Sequence, residues 1–272
     1  MKELRDKVAV VTGAASGIGK ALALDFARRG MRLVLADIER GALDAAGREV
    51  KALGGECLIR ITDVSDEGSV LALADASFDR FGAVHVLCNN AGVSAGGVSL
   101  EETTHRDWEW VLGVNLWGVI HGLESFLPRM IRQGQPGHII NTASILGMVA
   151  QWPRSASYVA SKFAVVGLSE ALALELQETA IGVSVVCPST VDTQIYESER
   201  NRPAHLTVDR APIDLRKRMA AVAPDWMKAE DVSAKVLRAV EEDIFYVFTH
   251  PEAAQWMDAR FERIRRDYLP RR

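Results

Sequence analysis

Tyr158 and Lys162 stand four positions apart in the run Tyr158-Val-Ala-Ser-Lys162. Residues at that spacing share one face of a helix, so the ammonium can sit beside the phenol. A free tyrosine titrates near pH ~10, too high for a base at neutral pH, and a neighbouring cation favours the phenolate. The pair is therefore a candidate acid/base for moving the proton of an alcohol. Taken alone, the same spacing also fits a solvated helix face, so its chemistry depends on what accompanies it.

A second chemical feature lies near the start of the chain. Thr12-Gly-Ala-Ala-Ser-Gly-Ile-Gly19 directly follows an apolar run and opens a helical pattern. Glycines there let the backbone turn tightly and approach a pyrophosphate, whose charge a helix N-terminus stabilises. Gly13, Ser16, Gly17, Ile18 and Gly19 are the expected contacts. Asp37 ends the next apolar run, about 20 residues on, where a carboxylate can bind the adenosine ribose hydroxyls and repel a 2′-phosphate. Position 16 is Ser, not a basic residue, so the loop offers such a phosphate no partner. NAD is expected in preference to NADP, with nearby Arg40 pulling the other way.

Short β-branched runs alternate with helical patterns and must position these residues. Strands are predicted at Val8–Thr12, Arg32–Ala36, Cys57–Thr62, Val84–Asn89, His138–Thr142, Val183–Cys187 and Phe245–Thr249. Helices are predicted at Gly17–Arg29, Gly41–Leu53, Ser69–Phe81, Asp107–Arg132 and Ala156–Thr179. Continuous apolar runs suit strands buried on both faces of a parallel sheet, and the alternating order suits a doubly wound α/β fold. Nothing divides the chain, so one domain spanning residues 1–272 is expected. Between Thr193 and about Ala229 no strand is predicted, and Pro203, Pro212 and Pro224 mix with charges and apolar residues. A connection that long is usually functional or mobile, and it follows a strand end where ligands of such folds bind, so a substrate lid is expected.

The 272 residues are 48% hydrophobic and 25% charged with a formal net charge of -4, which argues for a globular protein and against nucleic acid as a partner. No apolar run approaches the roughly 20 residues that span a bilayer, and the N-terminus does not read as a signal peptide. Cys57, Cys88 and Cys187 sit in apolar runs and read as small buried hydrophobes, with neither a disulfide framework nor metal spacing. A reduced, cytoplasmic setting without a catalytic metal is expected. The arginine-rich segment Trp256–Arg272 carries too small an apolar face for membrane binding, and reads as a solvated helix or subunit contact.

Together, Thr12-Gly-Ala-Ala-Ser-Gly-Ile-Gly19, Asn89-Asn-Ala-Gly92, Asn115, Ser144 and Tyr158-x-x-x-Lys162 resemble the short-chain dehydrogenases/reductases of the classical type, over nearly the whole chain. The resemblance implies a single Rossmann-like domain with a seven-stranded parallel sheet flanked by helices. It also implies a homo-oligomer, a tetramer or dimer, packed through the helices that carry Asn115 and Tyr158. By that resemblance Tyr158 is the acid/base, and Lys162 lowers its pKa and holds the nicotinamide ribose. Ser144 binds the substrate oxygen, and Asn115 anchors a water-linked proton path. Asp63 and Val64 match an adenine-contacting pair, and Asn90, Ala91 and Gly92 the loop supporting the nicotinamide ribose. Pro188, Val191 and Thr193 match the nicotinamide segment, with Ser189 where the family commonly has glycine.

Substrate-facing positions of the family map here to Ser94, Ala95, Ile145, Met148, Gln151, Trp152, Ile195 and Tyr196, beside Ser144 and Tyr158. That set is mostly apolar with an aromatic wall and has no buried cation to hold a carboxylate. A bulky, weakly polar secondary alcohol or its ketone is expected. Val114-Asn-Leu-Trp-Gly-Val-Ile-His121, Pro136-Gly-His-Ile-Ile-Asn141 and Glu199-Arg-Asn-Arg-Pro203 resemble bacterial dehydrogenases of aryl alcohols, such as lignin-type Cα-dehydrogenases. Two alternatives remain open. Basic residues of the lid (Arg200, Arg202, Arg210, Arg216, Lys217 and Arg218) could meet the phosphate of a carrier-bound 3-ketoacyl thioester, unless Asp209, Asp214, Glu197 and Glu199 neutralise them. A non-catalytic NAD-binding regulator is the other, though a regulator needs no tuned tyrosine.

Overall fold

The computed structural model describes residues 1–223 and 225–268. Pro224 of the expected lid and Leu269, Arg271 and Arg272 of the C-terminal segment lie outside the described residues. Seven strands form one sheet: β1 (Val8–Thr12), β2 (Arg32–Asp37), β3 (Cys57–Ile61), β4 (Val86–Asn89), β5 (Gly137–Thr142), β6 (Ile181–Cys187) and β7 (Tyr246–Phe248). Their order is β3-β2-β1-β4-β5-β6-β7 and every pairing is parallel. The helices are α1 (Gly17–Arg28), α2 (Arg40–Ala52), α3 (Glu67–Phe81), α4 (His105–Leu112), α5 (Gly118–Arg132), α6 (Ala156–Glu175), α7 (Leu215–Val222), α8 (Ala229–Glu242) and α9 (Ala253–Tyr268).

The continuous apolar runs of the strands are explained by burial on two faces. Ala9 and Val11 of β1 pack against Leu22 and Phe26 of α1, Leu43 and Val50 of α2 and Val232 and Val236 of α8. Val8 and Val10 face the other layer, with Leu73 of α3, Phe126 and Met130 of α5 and Val165 of α6. Each such side chain, fully buried, contributes roughly 1.5–3 kcal/mol, so polar substitution on either face is expected to be severe. Cys88 and Cys187 are buried in these layers, whereas Cys57 is only half-buried.

Three sequence expectations need correction. The helix predicted over Asp107–Arg132 is interrupted by a π-helical turn at Gly113–Trp117, a feature that apolar spacing does not announce. The strand predicted from Val84 begins at Val86, because the backbone N–H and C=O of Val84 bond to the Gln133 side-chain amide. Helix α6, 20 residues with a mean hydropathy of 1.2, is long and apolar enough by length and composition to cross a membrane, contrary to the sequence reading. Its Val165, Val166 and Leu172 pack on the sheet, which accounts for that apolarity. Helix α9 has Ala253 buried and leaves Phe261, Ile264 and Tyr268 exposed, with Arg260 lying 5.4 Å from the Phe163 ring centroid of α6.

The sheet reverses its winding at β1, whose neighbours are β2 on one side and β4 on the other. Chain connections diverge there, which opens a crevice over the carboxyl ends of the strands.

Candidate active site

That crevice is a cavity of about 400 Å³. Its floor is made where strand ends turn into helices. Gly13 adopts φ +67, and a β-carbon on it would sit 2.9 Å from the Ala91 Cα, so the turn after β1 and the loop after β4 touch. At Gly19 a β-carbon would collide with the Gly13 carbonyl oxygen, which is why α1 can begin so close beneath the turn. Thr12 ties the two loops together: its hydroxyl accepts from the N–H of Asn90 (2.9 Å) and Ala91 (3.1 Å) and donates to the Cys88 carbonyl (3.2 Å). Gly13, Ser16, Gly17, Ile18, Asn90, Ala91 and Gly92 line the crevice as expected, whereas Gly19 lies beneath its surface.

Asp37 closes one end. Its carboxylate accepts from the Ala15 N–H (2.9 Å) and the Glu39 N–H (3.0 Å). Burial pushes its pKa up, and these two N–H groups pull it back. Asp63 and Val64 line the same end. Sequence reasoning missed Glu39, which lines it too and accepts from Arg200 (2.5 Å) and Asn201 (2.7 Å) of the segment after β6. No local spacing links positions 39 and 200; only the fold brings them together.

Tyr158 and Lys162 occupy the first turns of α6, on one face as their spacing required. The Lys162 Nζ is buried, donates to the Thr142 carbonyl at 2.8 Å and lies 5.5 Å from the Tyr158 ring centroid. Ser144, just past β5, accepts from the Leu146 N–H (3.1 Å) and donates to the Pro188 carbonyl (3.3 Å). Asn115 sits in the π-helical turn and is wholly buried. Its amide brackets Val93, accepting from that N–H (2.8 Å) and donating to that carbonyl (3.0 Å), and also donates to the Ser161 hydroxyl (3.1 Å). Ser161 in turn donates to the Tyr158 carbonyl (2.7 Å). Asn115 Oδ1 and Lys162 Nζ border the open side of Gly92, 3.4 and 3.6 Å from where a β-carbon would stand. Thus Asn115, Ser144, Tyr158 and Lys162 converge, with Asn115 behind the surface that the other three form.

The electrostatics depart from the sequence expectation. Burial pushes the Tyr158 phenol up to about 12, with the neighbouring Ser144 hydroxyl pulling the other way, so the lowering expected from Lys162 is not realised by the chain alone. Burial also drives the Lys162 ammonium down to about 8. Desolvation is the largest influence on both groups.

Pro188, Val191 and Thr193 line the crevice opposite Gly17, whose β-carbon position is 2.9 Å from the Thr193 Cγ2. Ser189, on the same loop, donates its N–H to the Thr249 hydroxyl at 3.3 Å. Beyond, the chain runs through 3₁₀ turns at Gln194–Asn201 and Ala204–Leu206 to α7, and an isolated bridge pairs Val191 with Met227 at its base. The Tyr196 and Trp226 rings pack with their centroids 4.6 Å apart at a 48° tilt, and Arg202 and Arg210 pair with the buried Asp107 of α4.

Of the expected substrate-facing residues, Ser94, Trp152, Ile195 and Tyr196 line the crevice with Ser144 and Tyr158. Gln151 does not; it is solvent-exposed outside it. Ile145 and Met148 also turn away, because the short 3₁₀ turn Ile145–Gly147 aims them at Ala253 and Trp256. Ala95 packs with Trp110 and Val111. Trp110, Leu215 and Met219 line the cleft and were missed, since they come from helices with no motif of their own. Among the described residues no group of three or more His, Cys, Asp or Glu is placed to hold a metal ion.

A parallel sheet that reverses at β1, with a glycine turn feeding a helix N-terminus at that point, defines a Rossmann-like dinucleotide-binding protein. The family model for short chain dehydrogenases matches residues 7–204. A crystal structure of a short chain dehydrogenase/reductase from Burkholderia phymatum in complex with NAD is 42% identical with a TM-score of 0.94, covering 100% of this chain and 99% of that one. The CLA biosynthesis dehydrogenase/reductase of Lactiplantibacillus plantarum is 36% identical over 99% of this chain and 97% of its own. The C alpha-dehydrogenase of a Sphingobium species is 33% identical over 97% and 87%, in line with the aryl-alcohol resemblance of the sequence. The chain belongs to the short-chain dehydrogenase/reductase family and is an oxidoreductase.

Proposed function

We propose that this protein transfers hydride between NAD and a bulky, mostly apolar secondary alcohol or its ketone, with Tyr158 as the acid/base. The observation that carries the reading is the convergence of the Tyr158, Ser144 and Lys162 side chains on one crevice whose other end is a glycine turn and a carboxylate. The donor set fits a nicotinamide dinucleotide: Gly13, Ser16, Gly17 and Ile18 leave room and N–H groups for a pyrophosphate at the start of α1, and Asp37 presents a carboxylate suited to ribose hydroxyls. Asp37 beside Glu39 supports NAD over NADP. When bound, NAD supplies the hydride acceptor and a cationic nicotinamide ring. Asp63 and Val64 would flank the adenine, Asn90, Ala91 and Gly92 the nicotinamide ribose, and Pro188, Val191 and Thr193 the carboxamide.

The protein's own part is proton handling. The Ser144 hydroxyl orients the substrate oxygen towards Tyr158, whose phenolate takes the alcohol proton in oxidation and whose phenol returns it in reduction. Lys162 stabilises the phenolate, and Asn115, sharing the space over Gly92 with the ammonium, anchors the route by which the proton leaves the Tyr158 phenol after oxidation. Trp152, Ile195 and Tyr196 supply an apolar wall that excludes water from the reacting carbon. The segment at 193–229 acts as the lid of a single domain. Exposed Trp117 and Leu174, at the C-terminal end of the π turn before α5 and on α6, support a homo-oligomer, tetramer or dimer, and the composition supports a cytoplasmic setting.

The carrier-thioester alternative loses its main support, because Arg200, Arg202, Arg210 and Arg216 are each ion-paired within the chain. Tyr158→Phe tests the reading: NAD affinity by calorimetry is expected to hold, while NADH formation from secondary alcohols falls about 10²–10⁴-fold. Undiminished turnover in that variant refutes the role of Tyr158.

A further inference from the structure

The two ends of the cleft carry opposite charge. Asp37, Glu39 and Asp63 line the end over β2 and β3. Past Tyr158, where Trp152, Leu215 and Met219 form the wall, the described lining has no carboxylate and its charged side chains are Arg154 and Arg218. Both meet at one residue: the Gly97 N–H donates to the Arg154 carbonyl (2.7 Å), and the Arg218 Nη1 donates to the Gly97 carbonyl (2.7 Å). Among the described residues neither arginine has a carboxylate within 4.0 Å, whereas Arg200, Arg202, Arg210 and Arg216 all do. Glu102, bound to the Ser99 hydroxyl at 2.7 Å, is the acidic group that feels Arg154 at longer range. Arg154 is held at φ +62, a conformation a long side chain seldom adopts, and such strain gathers at ligand sites.

We propose that this half of the cleft takes an apolar secondary alcohol that ends in a carboxylate, the carbinol lying at Tyr158 and the carboxylate at Arg154 and Arg218. The proposal deepens the dehydrogenase reading above and rests on it. It revises the sequence expectation of a weakly polar substrate: the cations are not buried but stand at the rim, where an apolar body bound along Trp152, Leu215 and Met219 would bring its polar end. A phosphate-rich carrier would need a wider cationic field than the two arginines left unpaired at this rim. Because both guanidinium groups are exposed, the preference they confer is moderate, about fivefold to tenfold, and weakens with salt.

The test compares acids with their own methyl esters. 4-(1-Hydroxyethyl)benzoate and 9-hydroxydecanoate, each with its ester, are assayed for NADH formation by the wild-type protein and by the Arg154→Asn/Arg218→Gln double variant; asparagine tolerates the left-handed backbone, and glutamine keeps a donor for the Gly97 carbonyl. Binding of the same four compounds to the NAD-loaded protein is measured by calorimetry, so that loss of turnover and loss of the anion site are read separately. The expected result is an acid-to-ester ratio of about five to ten for at least one pair in the wild type, falling towards one in the double variant and at high salt. Ratios near one in the wild type, or a ratio the double variant leaves intact, overturn the carboxylate site even if every alcohol is oxidised. Tighter binding of a 3-ketoacyl-coenzyme A than of either acid also overturns it. If none of the four compounds is oxidised while the acids still bind in preference, the acid/base reading fails and the anion site stands.

Discussion

On one side of the cleft, Gly13, Ser16, Asp37 and Asn90 belong to strand ends and tight turns of the sheet itself. On the other, Trp152, Ile195, Tyr196 and Leu215 come from connections that leave the sheet and return. The first side is fixed by backbone geometry, down to single β-carbons that have no room. The second is fixed by side-chain contacts between distant segments: Arg202 and Arg210 gripping Asp107, Tyr196 against Trp226, Arg200 reaching Glu39. One half is built into the sheet, and the other is held by segments that leave it and return. Tyr158 and Lys162 stand at the join.

Four substitutions probe that division, from the largest effect to the smallest. Lys162→Met, at the join, is expected to cost at least about 10²-fold in turnover yet to stabilise the fold. Burial lowers the ammonium from 10.5 to about 8, so below pH 8 the folded state carries a charge it would rather lose. Removing it yields up to about 3 kcal/mol at pH 7, less the bond to the Thr142 carbonyl. That gain shrinks as pH rises from 8 towards 10.5, where the unfolded lysine also becomes neutral. Urea unfolding of both proteins at pH 7 and pH 10 measures it, and an equal or larger gain at pH 10 contradicts the sign.

Gly19→Ala comes next. The added methyl meets the Gly13 carbonyl, so NAD affinity is expected to fall about 10²-fold, that is about 2.7 kcal/mol, with Tyr196 and Trp226 still packed by their fluorescence. If substrate affinity falls equally, the halves are not separable. Asp37→Ser should then shift the NAD-to-NADP ratio of kcat/KM by about tenfold or more towards NADP, and an unchanged ratio assigns the preference to Glu39 instead. Smallest is Trp152→Ala, expected to raise the alcohol KM about fivefold to tenfold through lost apolar contact while the NAD dissociation constant stays within about a factor of two. A comparable change in both constants erases the boundary.

The same division governs how far the sequence could be read. Seven strands, the glycine turn, Asp37 and the group of Asn115, Ser144, Tyr158 and Lys162 were legible, because each binds a residue type to a backbone requirement at short range. Glu39, Trp110 and Leu215 were not, since no local pattern relates them to the site. Gln151, Ile145 and Met148 were misplaced for a related reason. They neighbour true lining residues, and one 3₁₀ turn suffices to send adjacent side chains in different directions. The phenol and ammonium of Tyr158 and Lys162 were found but the burial that pushes the one up and the other down was not, because spacing reports proximity and says nothing of how dry the surroundings are.

The π-helical turn at Gly113–Trp117 absorbs one extra residue between α4 and α5. An α-helix advances about 100° per residue, and a π turn accommodates an extra residue within one winding. Upstream, Trp110 and Val111 set the inward direction; downstream, Val119, Leu123 and Phe126 do, and Asn115 is the buried residue at the splice. Deleting a single residue from this turn would restore an unbroken helix with the inner stripe of α5, Phe126 and Met130 included, still facing the core, because the wide winding had already absorbed the extra residue. The bulge thus carries the buried amide of Asn115 without re-aiming the core helix that it interrupts, so removing it is expected to spare the packing of α5 and to disturb the contacts of Asn115 with Val93 and Ser161.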